Sequence, residues 1–170
     1  MNEKVISEKD YYCDAVDLAY YVANRYYAKY QEEISSLKLQ KSLYFLFAYW
    51  GGFVEKGNGK KTELKNVFKP YLFPNKLEAW TYGPVVPEVY KKTENIKFIS
   101  SMIPNDFELH KDIKEFVHGL CDEMFEVSDF KLVEIAHGDR CWNNHYDDSA
   151  DRHNEEIPKD EIIREYVSKI

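Results

Sequence analysis

The sequence predicts one mainly α domain: a single helical bundle of five or six helices with a small irregular or β insertion around residues 64–86. Three observations carry this. Apolar residues recur at helical spacing in several separate stretches, Pro70, Pro74, Pro84 and Pro87 crowd one short segment, and 170 residues suit one core. At 44% apolar and 31% charged residues the chain can bury that core and is not disordered as a whole. No internal repeat divides it.

The first helix is expected from Asp10 to about Gln31, where Ala15, Leu18, Ala19, Val22 and Tyr26 fall on one face. Ser35 and Ser36 are good N-cap residues for a second helix, whose apolar stripe is Leu39, Leu43, Leu46, Phe47 and Trp50. Either Gly51-Gly52 or Gly57-Asn58-Gly59 ends it. Lys38 and Lys41 are expected on its solvated side. The four prolines exclude regular helix over the next stretch, in which Leu77 to Tyr82 reads as a short strand and Tyr82-Gly83-Pro84 as a turn. Pro87 suits the first turn of a short helix reaching about Glu94. Leu109, Ile113, Phe116, Val117, Leu120 and Met124 mark a helix within Asp106 to Val127. Ser128 caps a shorter one that Gly138 stops as a C′ residue. The segment from Asp139 to Ile157 reads as a polar linker, and Pro158 opens a last helix carrying Ile162, Ile163, Tyr166 and Val167.

No apolar run approaches the roughly 18 residues of a membrane span, and the opening MNEKVISEKD lacks an export signal, so a cytoplasmic protein without a membrane partner is expected. Cys13, Cys121 and Cys141 are odd in number and widely spaced, which fits free thiols in a reducing compartment. The net charge of −7 repels phosphate backbones, so nucleic acid is a disfavoured partner. The charge is uneven: residues 1–100 hold 15 basic and 12 acidic side chains, residues 101–170 hold 8 and 18. Six lysines face one glutamate between Lys56 and Lys76, while eight acids face three bases between Asp139 and Glu161. Such runs solvate a surface or steer a charged partner.

Common catalytic signatures are absent: no Gly-rich phosphate loop, no G-x-S-x-G, no H-E-x-x-H and no paired C-x-x-C. The densest set of ligand-type residues is His137, Asp139, Cys141, His145, Asp147, Asp148, Asp151 and His153. On a continuous helix His137, Cys141 and His145 would share a face suited to zinc, but Gly138 and Asn143-Asn144 oppose that helix, so no metal or other cofactor is expected. A thiol enzyme built on His137 and Cys141 lacks an orienting third group. Fourteen tyrosines exceed what a small core holds with every hydroxyl satisfied. Tyr11, Tyr12, Tyr20, Tyr21, Tyr27 and Tyr30 crowd the first helix, which suits a protein interface or a homodimer.

Two blocks then point to a family. Leu37-Lys38-Leu39-Gln40-Lys41-Ser42-Leu43-Tyr44-Phe45, followed by Leu77-Glu78-Ala79-Trp80-Thr81-Tyr82-Gly83-Pro84-Val85-Val86-Pro87-Glu88-Val89-Tyr90, resembles the Panacea, or SocA-like, antitoxin domain, which includes phage-associated GepA-like proteins. The tail agrees, with Leu132-Val133-Glu134-Ile135-Ala136-His137, then Trp142, then Ile157-Pro158 before a final helix, so the resemblance spans about residues 14–170. Ala136 stands where the family commonly has Thr or Ser, Cys141 where it has Pro, and residues 56–70 are longer than the usual connection.

The resemblance implies a bacterial or phage protein that binds proteins and is not an enzyme. It would be an antitoxin that neutralises a toxin by direct contact, or an adaptor that delivers its toxin to a Clp-type protease. A phage protein that binds a host immune enzyme is the alternative. The expected partner surface is Trp80, Tyr82, Gly83, Pro84, Val85, Pro87 and Tyr90, with His137 and Trp142 from the tail. Gly83 permits a turn, Pro84 and Pro87 fix φ, and the aromatics surround them, which makes either a rigid binding platform or a structural elbow. The acidic 139–161 segment would complement a partner with a basic surface.

Overall fold

The computed structural model describes residues 6–58, 68–93, 107–149 and 154–170. Among them lie α1 (Ala15–Tyr30), α2 (Ser36–Asn58), β1 (Leu77–Trp80), β2 (Gly83–Val85), α3 (Pro87–Thr93), α4 (Lys111–Phe125), α5 (Asp129–His137), α6 (Arg140–Asn143), β3 (Glu155–Ile157) and α7 (Lys159–Val167). The predicted mainly α domain with a small β element is therefore the observed one. None of the described helices is long and apolar enough to cross a membrane.

Helix α2 is the axis of the fold: α1, α4, α5, α7, α3 and β2 all pack on it. Every residue from Lys38 to Ala48 is buried. The expected stripe Leu39, Leu43, Leu46, Phe47 and Trp50 is in the core, but the expectation of a solvated opposite side fails. Lys38, Gln40, Lys41 and Ser42 are buried as well. An amphipathic pattern implies one wet face only for a helix at the surface, and α2 has neighbours all round. Lys38 meets this by donating to the Phe125 carbonyl at 3.0 Å, where the C-terminus of α4 welcomes a cation.

The caps of α2 and α5 follow the sequence, whereas α1 starts at Ala15, behind an Asp14 cap, and not at the expected Asp10. Asp14 receives the Val16 N–H at 2.7 Å, Ser35 that of Lys38 at 3.0 Å and Ser128 that of Lys131 at 3.2 Å. Gly138 ends α5 at φ −75°, an ordinary right-handed conformation. It is thus not a left-handed C′ stop: the chain turns straight into α6, a helix that the polar-linker expectation left out. The same linker hides β3. The sheet has the order β2-β1-β3, all antiparallel, pairing Trp80 with Gly83 and Leu77 with Ile157. Three residues with two adjacent glutamates give no alternating pattern, so only pairing with β1 makes them a strand. The expected loop around Pro104 and the helix ends at Gly59, Glu94 and Asp106 lie outside the described residues.

Helix α2 runs through Gly51-Gly52 because α7 lies against it there. A Cβ on Gly51 would meet Ile163 Cγ1 at 2.4 Å, and one on Gly52 the Tyr166 backbone at 3.0 Å. Gly119, on the exposed face of α4, would meet nothing within 4 Å. The two glycines should therefore respond oppositely to alanine. Overlap with a β-branched side chain outweighs the gain in helix propensity at Gly51, so Gly51→Ala destabilises by about 1–3 kcal/mol. Gly119→Ala stabilises by about 0.5–1 kcal/mol. Urea unfolding of the two variants checks both signs.

Candidate functional site

The predicted turn is a tight hairpin in which Thr81 and Tyr82 link β1 to β2. Gly83 follows at φ 108°, a left-handed conformation that disfavours any Cβ. A Cβ there would also meet Lys41 Cε at 2.9 Å and Ala136 Cβ at 3.3 Å. Pro84 is tolerated in β2 because that strand is an edge of the sheet. The hairpin leans on α2 through backbone recognition. Gln40 accepts the Val86 N–H at 2.9 Å and donates back to the Val86 carbonyl at 3.4 Å, while Lys41 Nζ donates to the Pro84 carbonyl at 2.8 Å. Pro87 then starts α3, as expected.

Lys41 is fully buried. Burial pulls its amine down to about 7, with no carboxylate to offset it. It lines a pocket of about 300 Å³ whose other walls include Leu37, Trp80, Tyr82 and Tyr90. Trp80 meets Tyr90 edge to face, centroids 4.9 Å apart, and its indole N–H is held by Glu78 at 3.0 Å. Tyr82 stands on the lip, 59% exposed.

The other side of the hairpin is held by the tail. Trp142 Nε1 donates to the Trp80 carbonyl at 2.8 Å. His137 Nε2 lies 3.0 Å from the Thr81 carbonyl, so that nitrogen carries the proton. His137, Trp142 and Tyr146 stack in sequence, with centroids 4.3 and 4.5 Å apart. All nine residues of the expected surface thus gather around one hairpin. Gly83, Pro84 and Val85 are its buried frame, and Tyr82 is the exposed aromatic.

The expected ligand cluster disperses. Asp139 is buried and accepts from the hydroxyls of Tyr44 at 2.5 Å and Tyr166 at 2.6 Å, with Lys169 as its cation. Cys141 sits against Tyr44 at 3.3 Å, and burial pushes its thiol up to about 12, so it stays protonated. His145 is clamped between Glu155 at 2.7 Å and Glu161 at 2.6 Å; burial opposes its charge, but the two carboxylates outweigh burial and raise its pKa. His137, Cys141 and His145 therefore point to three different partners. Among the described residues no group of three or more His, Cys, Asp or Glu is placed to hold a metal. Asp151 and His153 lie outside the described residues.

Of the six tyrosines expected on the first helix, Tyr11 and Tyr12 precede α1, Tyr27 is exposed and the rest are half-buried. Tyr12 bonds Asp112 at 3.2 Å, Tyr21 meets His118 at 2.5 Å and Tyr30 bonds Glu126 at 2.7 Å, which fastens α1 and the segment before it to α4 and its C-cap. Several lysines of the 56–76 segment are likewise engaged: Lys56 with the Ile170 carbonyl, Lys69 with the Tyr11 carbonyl at 3.2 Å and Lys76 with Glu156 at 3.7 Å.

Sequence reasoning missed Gln40 and Lys41 as site residues. The available signal was their place inside a block of the resemblance, paired with the Gly-Pro-Val-Val-Pro block they touch. No family model, curated protein or solved structure matches the chain.

The lowered Lys41 amine makes stability depend on pH. An unfolded lysine holds its proton up to about 10.5, the folded one only to about 7, so the unfolded state binds more protons between these values. Lys41 therefore favours folding progressively as pH rises from 7 towards 10. The stability of wild type relative to Lys41→Met should rise over this range, as read by denaturant unfolding at each pH. A difference independent of pH would mean that the amine is not held down.

Proposed function

We propose that this chain is an antitoxin-type protein-binding module of the Panacea or SocA-like kind, acting in the cytoplasm of a bacterium or on behalf of a phage. It neutralises a toxin by direct contact. The observation that carries the reading is the preformed aromatic–proline hairpin, gripped from behind by Gln40 and Lys41 and from the side by Trp142, with Tyr82 presented on its lip. Such a surface loses little conformational freedom on binding, which favours tight recognition. An adaptor that hands its toxin to a Clp-type protease uses the same recognition step.

The partner's surface is basic in this reading. Exposed Glu155 and Glu156 belong to β3, two strands from β2, and exposed Asp148 holds the hydroxyl of Tyr146 at 2.8 Å. Carboxylates beside an aromatic platform speed the approach of a cationic protein and help little in holding it. Catalysis has no part in the reading.

Co-expression with the product of a neighbouring reading frame tests it. The chain should relieve that product's toxicity and co-purify with it, and failure of both with every neighbour would remove the proposal. Tyr82→Ala should weaken the complex about tenfold or more while leaving the melting temperature of the free chain unchanged, since Tyr82 is 59% exposed. The association rate should fall as salt rises, measured by stopped flow.

A further inference from the structure

We propose that the pocket beneath the β1–β2 hairpin is a receptor for a peptide carboxylate, bound by the Lys41 ammonium and the N-terminus of α2 with its side chain resting against the wall that Trp80 and Tyr90 form together. The inference rests on the protein-binding reading and names the chemistry that the partner inserts.

Lys41 supplies the first observation. Its ammonium has three N–H donors and is buried, yet its one acceptor among the described residues is the Pro84 carbonyl. A buried ammonium without an anion is costly, and an anion in the pocket would repair it. The carboxylates and the imidazole on the elements packed around this amine are held by other partners, Glu88 of α3 by Asn75. Glu78 of β1 is bound to the Trp80 indole, and His137 of α5 to the Thr81 carbonyl. Glu134 of α5 is paired with Lys131. Tyr82 and Tyr90 form walls of the pocket.

The second observation is independent of the first. Ser36 and Leu37, which open the 23-residue helix α2, line the same pocket. The first N–H groups of a helix have no acceptor within it, and Ser35 Oγ takes only that of Lys38. The positive end of the helix thus borders the same cavity as the amine.

Size and polarity choose among anions. About 300 Å³ is at the low end for a ligand pocket, enough for one carboxylate and one apolar or aromatic side chain. One cation and one helix end suit a single negative charge. A phosphate dianion would bring two charges into a protein of net charge −7. Trp80, Tyr90 and Leu37 add apolar wall on which a phenyl or aliphatic side chain rests.

Binding and protonation are then linked. A carboxylate stabilises the charged amine, so binding above the pH at which Lys41 loses its proton takes up a proton and weakens with rising pH.

The test is calorimetric titration of the full chain with three acetylated tripeptides. One ends in phenylalanine with a free carboxylate, the second is its C-terminal amide, and the third is amidated with an internal glutamate beside phenylalanine. The expected result is binding by a carboxylate peptide, at least tenfold weaker binding by the uncharged amide, and a fall of about tenfold or more in carboxylate affinity from pH 6.5 to 8.5. Proton uptake at pH 8.5, read in buffers of different ionisation enthalpy, accompanies it. Binding by the first peptide alone assigns the carboxylate to a chain end, and binding by the third assigns it to a side chain. Lys41→Met should abolish the carboxylate preference. If that variant does not fold, the wild-type contrast between acid and amide and its pH profile still decide. Equal affinity for acid and amide, no binding at millimolar peptide, or indifference to pH would each overturn the proposal. A partner captured through Tyr82 while every peptide fails leaves the protein-binding reading intact and ends this one. Peptide binding without any protein partner does the reverse.

Discussion

The contact on which the functional surface depends is polar and fully buried: Gln40 and Lys41, on neighbouring positions of the central helix, hold the backbone of residues 84–86. A hairpin of a four-residue and a three-residue strand has too little pairing to stand alone in water. Its third strand contributes only three further residues. The helix therefore supplies what the sheet lacks, and it does so by satisfying main-chain groups, so the geometry it fixes is that of the backbone. Each such bond contributes only about 1 kcal/mol net, but a lost partner would strand a buried donor or acceptor at about 1–3 kcal/mol. That asymmetry makes the arrangement specific even where it is not strongly stabilising.

A second buried polar centre sets the height of the tail. Asp139 takes the hydroxyls of Tyr44 from α2 and Tyr166 from α7, with Lys169 closing the group. Glu165 of α7 receives the backbone N–H groups of Arg140 at 2.9 Å and Cys141 at 2.7 Å, the open first turn of α6. With α6 tied at both points, Trp142 is placed to reach the Trp80 carbonyl and to stack between His137 and Tyr146. Two residues of α2, Lys41 and Tyr44, one helical turn apart, thus govern the two sides of the hairpin. The surface is organised from the core outward.

Much of this was legible in the chain because it follows local rules. Helix existence came from apolar spacing, the starts of α2 and α5 from serine caps, and the α3 start from Pro87, all of which depend on neighbours within a turn; α1 starts at Ala15 and not at the expected Asp10. The gathering of Trp80, Tyr82 and Tyr90 with the distant His137 and Trp142 was reachable through the family resemblance. What stayed hidden is long-range. Lys38 and Lys41 look like solvated neighbours of an apolar stripe until the elements that surround α2 are known, since periodicity reports which residues share a face and not how many faces are covered. Strand β3 has no pattern of its own, and Cys141, four residues before His145, turns inward to Tyr44 while His145 turns to Glu155 and Glu161. Spacing along a presumed helix cannot foresee that break.

The choice of lysine at position 41 has a physical logic of its own. A leucine or methionine would fill the space and leave the Pro84 carbonyl without a donor, at the cost of a buried unsatisfied acceptor. An arginine would donate but could never shed its charge, since its pKa lies far above any pH the protein meets. Lysine alone among these can release its proton where burial makes the charge expensive and still donate to the carbonyl as a neutral amine, because two N–H bonds remain. The same side chain therefore serves the hairpin in either state. Its charge would then follow the pocket: an anion there favours the protonated amine, while burial alone favours the neutral one. A rigid backbone contact and an adjustable charge reside in one residue, which ties the integrity of the platform to the chemistry of its ligand.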